Sequence, residues 1–173
     1  MRVVHRRRRT EITVSGWPGS SSPYQVTSSS DVRLPADADW PPALRQALGA
    51  RAAHGGDDKG RRLFCVQAGG GLVEPIVVGC VLLHVDDRSV LVIECVSVLF
   101  KHDPDATTIE VLLLACSQEV ARRLGSNCLY RKVYGAANAR RARLKFEFKR
   151  LPAAHPLQRN NRGAIILERC AKG

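Results

Sequence analysis

The sequence predicts an α/β protein in which helices flank a mixed β-sheet. Three segments rich in β-branched and apolar residues follow one another at 61–68, 76–85 and 89–100, and their connections are of hairpin length. A polar loop comes next, followed by a segment whose apolar residues recur at helical spacing. The predicted order over the whole chain is strand, helix, three strands, helix, strand, helix, strand.

The remaining elements are predicted from local signals. A strand is expected at 31–34 and a helix at 42–55, because proline at position 42 suits the first helical turn. A second helix follows Thr108 and ends at Gly125, since glycine readily adopts the left-handed conformation at the C′ position. Strands at 127–135 and 163–170 enclose a short basic helix at 137–146.

Residues 1–30 differ in composition from the rest of the 173-residue chain. A basic cluster, HRRRR at 5–9, precedes a tract rich in glycine, proline and serine. This composition predicts an N-terminal arm at 1–30 and a folded domain at 31–173, although 11–14 (EITV) could pair as an edge strand. The basic cluster fits a nuclear import signal, the start of a mitochondrial presequence or a phosphate-binding arm. A nuclear or mitochondrial location is therefore expected.

The cysteines lie in apolar segments, without a CxxC pair and without a histidine at metal-ligand spacing. The six residues are Cys65, Cys80, Cys95, Cys116, Cys128 and Cys170. This pattern predicts free core thiols in a reducing intracellular compartment and no metal site. The equal spacing of the first three suggests that adjacent strands bring them together as packing residues. No run of about 18 apolar residues occurs, so no transmembrane helix is expected.

Positive charge is concentrated in the C-terminal third of the chain. Residues 120–173 contain 14 lysines and arginines against two acids, whereas residues 1–119 contain 13 basic and 14 acidic residues. So uneven a distribution indicates either a solvated surface or a binding site for a polyanion. The polyanion would be nucleic acid, an acidic protein surface or a phosphate-bearing cofactor. Few aromatic residues are available for base stacking, so contact with the backbone of folded RNA or DNA is expected. The candidate nucleic-acid-binding residues are Arg131, Lys132, Arg140, Arg141, Arg143, Lys145, Lys149 and Arg150.

The order of elements over 31–173 resembles the GNAT superfamily of acetyl-CoA-dependent N-acetyltransferases. VRLPADADWPPALRQAL at 32–48 is similar to the first strand and helix of the family, and NARRARLKFEF at 138–148 to its asparagine-containing helix. Between them, the strand SVLVIECVSVLF, the loop KHDPDATT and the helix IEVLLLACSQEVARRLG stand in the place of the cofactor-binding junction. The resemblance implies a GNAT-like fold with a central, mostly antiparallel sheet flanked by helices.

The loop departs from the family at every position that meets phosphate. The family pattern is Arg/Gln-x-x-Gly-x-Gly/Ala, whose glycines let backbone N–H groups approach the cofactor pyrophosphate at a helix N-terminus. Aligned from Glu94, the pattern falls on 104–109 (PDATTI), and no position matches. Proline removes one N–H donor, and Asp103 and Asp105 would repel a phosphate. Thr107 and Thr108 remain as hydroxyl donors beside the helix dipole.

The resemblance also implies candidate catalytic residues. In the family a base takes a proton from the amine, and an acid, often a tyrosine on the fourth helix, returns one to the leaving thiolate. Glu94 is the candidate base, because it is an acid flanked by apolar residues. Leu144 and Lys145 occupy the place of the tyrosine, so Tyr130 or Tyr134 from the neighbouring strand is the candidate acid.

These observations support two main hypotheses. The leading one is a catalytically degenerate GNAT-fold protein that acts as a basic scaffold subunit of a ribonucleoprotein or chromatin complex and binds no cofactor. The alternative is an active N-acetyltransferase that uses acetyl-CoA and acts on a protein or peptide amine. His84 and His102 are further candidate bases for that activity, and a basic α/β module without acyltransferase ancestry is a third possibility. The candidate cofactor-binding residues are Val96, Val98, Ala106, Thr107, Thr108 and Asn138.

Overall fold

The computed structural model describes residues 2–6, 9–13, 24–28, 40–42, 44–46, 60–68, 76–86, 90–99 and 104–170. The predicted strand at 31–34, much of the predicted helix at 42–55, Asp103 and His102 lie outside these residues. No helix in the described ranges is long and apolar enough to cross a membrane.

Nine strands among the described residues form a single sheet. The strands are β1 (Arg2–Arg6), β2 (Arg9–Thr13), β3 (Tyr24–Ser28), β4 (Arg61–Ala68), β5 (Ile76–Val85), β6 (Leu91–Val98), β7 (Cys128–Val133), β8 (Lys149–Arg150) and β9 (Ile165–Cys170). The helices are α1 (Ala106–Arg123), α2 (Ala136–Phe146) and α3 (Pro156–Asn160), and residues 42 and 44–46 are also helical. The strand order is β1-β2-β3-β4-β5-β6-β7-β9-β8. Among these pairs β6–β7 is parallel and the others are antiparallel.

The predicted fold class is confirmed: the chain has a mixed, mostly antiparallel sheet flanked by helices. The strands β4 and β5 have the bounds that the sequence predicts. The N-terminal segment differs, because β1, β2 and β3 continue the sheet in a region predicted to be an arm with at most one edge strand. Residues 11–13 of the expected edge strand lie in β2.

The larger core lies between the sheet and the two helices α1 and α2. Ile109, Leu113 and Cys116 of α1 are fully buried against it, with Ala142 and Phe146 from α2. Burying one such large apolar side chain contributes about 1.5–3 kcal/mol. The packing of α1 therefore fixes where its first turn meets the end of β6.

The opposite face of the sheet carries a smaller core. Trp40 and Leu44 cover a cluster that contains Leu63, Cys65 and Cys80. Cys65 lies opposite Cys80 in the β4–β5 register, and Cys95 of β6 packs against the same cluster. The prediction that adjacent strands bring these three cysteines together as packing residues is confirmed.

For Cys128 and Cys170 the prediction of free thiols is wrong. The two residues face each other in the β7–β9 register with their Cα atoms 4.0 Å apart, and they form a disulfide. They are 42 positions apart in the chain, so their proximity depends on the strand pairing and not on any local pattern. The carboxylate of Glu168 lies within 4.8 Å of both sulfur atoms, but the sulfurs are bonded to each other.

Candidate functional site

The pairing of the parallel strands β6 and β7 ends after two residue pairs, and the region beyond it is called the cleft. The two strands pair at Val92 with Tyr130 and at Ile93 with Arg131, although β6 continues to Val98. Beyond Ile93, one edge of β6 has no partner among the described strands. The first turn of α1 follows β6 and lies at the mouth of this cleft.

Glu94 occupies an irregular position at the start of the cleft. In the β5–β6 register, Leu82 pairs with Cys95 and Leu83 with Ile93, which leaves Glu94 as the extra residue of a β-bulge. Its carboxylate lies 3.2 Å from Arg61 Nε in an ion pair that is partly shielded from solvent. The candidate base therefore projects toward the sheet face opposite α1, because its partner Arg61 lies on the same face of β4 as Leu63 and Cys65 of the smaller core.

The candidate acids lie in different environments. Tyr130 is half-buried, and burial together with its hydrogen bond to Glu168 raises the pKa of its hydroxyl, so it keeps its proton at neutral pH. Tyr130 lies next to Arg131 in β7 and so projects to the face opposite α1, the same face as Glu94. Tyr134, in contrast, is 56% exposed beyond the end of β7, where Lys132 Nζ lies 5.8 Å from its ring centre.

His84, the histidine base candidate within the described residues, lies on β5. His84 pairs with Arg61 across β4 and with Val92 across β6, and it is half-buried. Its Nδ1 atom is fully buried and has no hydrogen-bond partner among the described residues. The sheet thus places His84 near the Glu94–Arg61 pair.

The first turn of α1 is occupied by contacts within the chain. Asp105 is the N-cap residue, and its carboxylate accepts a hydrogen bond of 2.7 Å from the Tyr24 hydroxyl. Lys145 Nζ of α2 donates to Thr107 Oγ1 at 2.8 Å. Thr108 is exposed. An anionic side chain therefore lies at the helix end that would otherwise favour a bound phosphate.

The other candidate cofactor-binding residues are divided between the cleft and α2. Val96 and Val98 pack against the larger core from the part of β6 that lies beyond its pairing with β7, and Ala106 is half-buried at the start of α1. Asn138 is exposed on α2, where its side chain donates to the Tyr134 carbonyl oxygen at 2.9 Å. Asn138 therefore supports the start of α2 through a local contact.

A buried carboxylate, which the sequence did not indicate as a site residue, lies between α1, β7 and α2. Glu110 of α1 accepts hydrogen bonds from Arg131 Nη2 at 3.2 Å and from Arg141 Nη2 at 2.8 Å. Its side chain is 6% exposed, and that of Arg131 is 14% exposed. The guanidinium carbon of Arg131 also lies 5.9 Å from the centre of the Phe146 ring. Two of the predicted nucleic-acid-binding residues are thus tied to an internal anion.

A separate groove of about 1360 Å³ runs along α2 and the paired strands β8 and β9. Its basic lining residues are Arg140, Arg143, Lys149, Arg150 and Arg169. Two acids, Glu147 and Glu168, also line it. Its apolar lining residues include Ala136, Ala139, Leu144, Phe148 and Ile165. The groove is therefore lined by both apolar and basic side chains.

The structure sorts the predicted nucleic-acid-binding residues into two groups. Four of them line the groove, whereas Arg131, Lys132, Arg141 and Lys145 do not. The sequence pattern did not indicate Arg169 as a groove residue, because it lies in a predicted strand, 23 positions after the end of the basic helix at 146. The pairing of β9 with β7 and β8 brings it to the groove.

The chain matches no protein-family model and no curated protein sequence. Several solved structures resemble it. A Klebsiella pneumoniae protein described as an acyl-CoA N-acyltransferase has a TM-score of 0.55 and 18% identity, over 85% of this chain and 97% of that chain. A GNAT family acetyltransferase from Elizabethkingia anophelis with acetyl-CoA bound has a TM-score of 0.56 and 16% identity, over 86% and 99% of the two chains. A chain in a structure of the KacTA–DNA complex has a TM-score of 0.57 and 12% identity, over 85% and 92%.

These likenesses concern the fold, since the identities are low. They cover nearly the full length of the similar chains and more than four fifths of this one. The chain therefore has the fold of the GNAT acetyltransferases.

Proposed function

We propose that this GNAT-fold protein binds the phosphate backbone of RNA or DNA along the groove beside α2, as a scaffold subunit of a nucleic-acid-associated assembly. The observation that carries the proposal is the groove's charge, with five basic side chains against two acidic ones. Basic side chains that neutralise several phosphates release counterions, which favours binding independently of sequence.

The arrangement of the basic residues supports an extended ligand. Arg140 and Arg143 are three positions apart on α2 and therefore lie on the same face of the helix. Lys149 and Arg150 form β8 and are exposed. A row of cations along one helix and one short strand fits a chain of phosphates better than a single small anion. The fold also occurs in a structure of a complex with DNA.

The first turn of α1 gives little support to acyl transfer as the main function. A pyrophosphate there would meet the Asp105 carboxylate, the ring of Pro104 and a first turn without glycine. The nearby cations Arg131 and Arg141 already share Glu110. The Asp105 carboxylate makes no cap hydrogen bond to the backbone N–H groups of this turn, but its negative charge disfavours a pyrophosphate there.

The test is a binding assay with labelled duplex RNA and duplex DNA. Arg140→Gln/Arg143→Gln should weaken binding at least about tenfold, because two phosphate contacts are lost. Arg159→Gln/Arg162→Gln is the matched control, since it removes the same charge from residues outside the groove lining. Equal losses in the two variants, or no binding by the unmodified protein, would contradict the proposal.

An acetyl-CoA-dependent N-acetyltransferase acting on a protein or peptide amine is the second candidate function. It is favoured by the bulge at Glu94 and by the unpaired edge of β6 beyond Ile93. That edge suits the extended pantetheine arm of the cofactor, whose amides could pair with backbone groups as an added strand does. The bound cofactor would supply an activated acyl group. Glu94 would accept a proton from the amine, and Tyr130, whose pKa is raised, would hold a proton for donation.

Calorimetry with acetyl-CoA separates the two candidates. Micromolar affinity, together with loss of activity in Glu94→Gln, would favour the enzyme. Absence of binding at millimolar acetyl-CoA would exclude the acetyltransferase activity. Neither result depends on the groove, because Glu94 and Tyr130 do not line it.

A further inference from the structure

We infer that Glu110 is a built-in counter-anion that takes the place of a bound ligand between α1, β7 and α2, so that this part of the fold assembles without a cofactor. The inference concerns a cluster that does not line the basic groove, and it is therefore independent of nucleic-acid binding.

The position of Glu110 is the first observation. Its carboxylate bonds to Arg131, the residue that forms the last β6–β7 pair with Ile93, and to Arg141 of α2. The three elements α1, β7 and α2 are thus joined through one side chain. Glu110 is almost fully buried, and a buried carboxylate in such a place requires cationic partners.

The charge balance is the second observation. Arg131 and Arg141 carry two positive charges against the single charge of Glu110. Lys145 adds a third cation one turn away, where it bonds to Thr107. The Nη1 atom of Arg131 is also buried and has no hydrogen-bond partner among the described residues. Removing the internal anion would therefore leave a cluster of buried or partly buried cations that an external anion could neutralise.

The burial of the cluster explains why one side chain could hold these elements together. Arg131 is largely shielded from solvent and lies against Phe146, so its interaction with Glu110 is screened less than a surface ion pair. Arg141 is 60% exposed, and its contact with Glu110 is correspondingly weaker as a source of stability. Arg131 is therefore the main partner of Glu110.

The test compares Glu110→Gln with Glu119→Gln. Glu119 is a matched control, because it lies on the same helix and also pairs with two arginines, but both of these are on α1 itself. Thermal stability is measured in chloride, and then with inorganic pyrophosphate or acetyl-CoA added at matched ionic strength. Hydrogen exchange of the α2 amides is measured in parallel.

The expected result has three parts. Glu110→Gln lowers the Tm by more than about 5 °C and speeds exchange in α2. Pyrophosphate then restores stability to this variant and binds it about tenfold more tightly than it binds the unmodified protein, since one repulsive charge is gone. Glu119→Gln shows no rescue by pyrophosphate.

Two results would overturn the inference. One is tight binding of acetyl-CoA or pyrophosphate by the unmodified protein, since Glu110 would then not replace a ligand. The other is a Glu110→Gln variant that keeps its stability and gains no anion binding. If that variant fails to fold, Arg141→Gln takes its place: it should fold and speed hydrogen exchange in α2, and unchanged exchange would contradict the inference.

Discussion

Gly79 of β5 lies directly against Ile109 of α1. A β-carbon on Gly79 would come within 2.7 Å of Ile109 Cγ2 and 3.1 Å of the Ser97 carbonyl oxygen. The absence of a side chain at this position therefore lets the helix approach the sheet closely. Ile109 precedes Glu110 in α1, so the same turn of the helix carries both this contact and the ion-pair cluster.

Gly79→Ala is predicted to destabilise the protein by about 1–3 kcal/mol, the usual cost of overpacking a core. Urea denaturation measures the change in the free energy of unfolding. The loss should shrink in an Ile109→Ala background, since that substitution makes room for the new methyl group. An equal loss in both backgrounds would mean that another contact is responsible.

Reduction of the Cys128–Cys170 disulfide is predicted to destabilise the protein by about 2–4 kcal/mol, because it releases a long closed loop in the unfolded chain. The bond spans 42 positions and joins β7 to β9. Thermal melts with and without dithiothreitol measure the effect. Cys170→Ser should abolish the response to reductant, whereas Cys95→Ser should keep it. A reductant response that persists in Cys170→Ser would contradict the assignment.

The thiols are predicted to differ in reactivity after reduction. Burial raises the pKa of Cys116 to about 12 and that of Cys95 to about 11, and the thiolate is the reactive form. Cys170 is exposed in the disulfide-bonded structure, so its thiol is accessible when reduction releases it. Iodoacetamide should therefore label Cys170 first, and Cys116 only when the protein unfolds, as peptide mass spectrometry can follow. Equal labelling of the two in the folded protein would contradict the buried position of Cys116.

The ion pairs of Glu119 are predicted to make the stability of the folded protein fall at low pH. Hydrogen bonds from Arg122 and then Arg123 lower the pKa of its carboxyl to about 2 in the folded protein, below the ordinary value of 4.5. Because the folded pKa is the lower one, the stabilisation is complete above the unfolded pKa and is lost as the pH falls toward the folded one. The Tm advantage over Glu119→Gln should therefore narrow between about pH 5 and about pH 2. A Tm difference between the two proteins that stayed constant across this pH range would exclude the ion pairs as the source of that difference.

Much of the fold follows from local sequence patterns. β4 and β5 were predicted with their observed bounds, because each is a single apolar run between turn-forming residues. Gly125 ends α1 with φ of 79°, as glycine at C′ requires. β8 was missed because two exposed basic residues give no strand pattern, and only pairing with β9 defines them.

The site was less predictable, because it depends on residues that are distant in the chain. In the sequence, Glu110 looks like an ordinary acid in the first turn of the helix predicted after Thr108, where the helix dipole favours an acid. Its burial is compensated by ion pairs with Arg131 and Arg141, which are 21 and 31 positions away. The same reason explains the disulfide and the position of Arg169 beside the groove, since strand pairing alone brings those residues together.

The salt dependence of nucleic-acid binding decides whether the basic groove is the binding site. The logarithm of the affinity for duplex DNA should fall linearly with the logarithm of salt concentration, with a slope of about −0.9 for each phosphate neutralised. Arg140→Gln/Arg143→Gln should reduce the size of that slope by about 1.8, whereas Arg159→Gln/Arg162→Gln should leave it unchanged. The groove would be rejected as the binding site if the first pair left the slope unaltered or if the two pairs altered it equally.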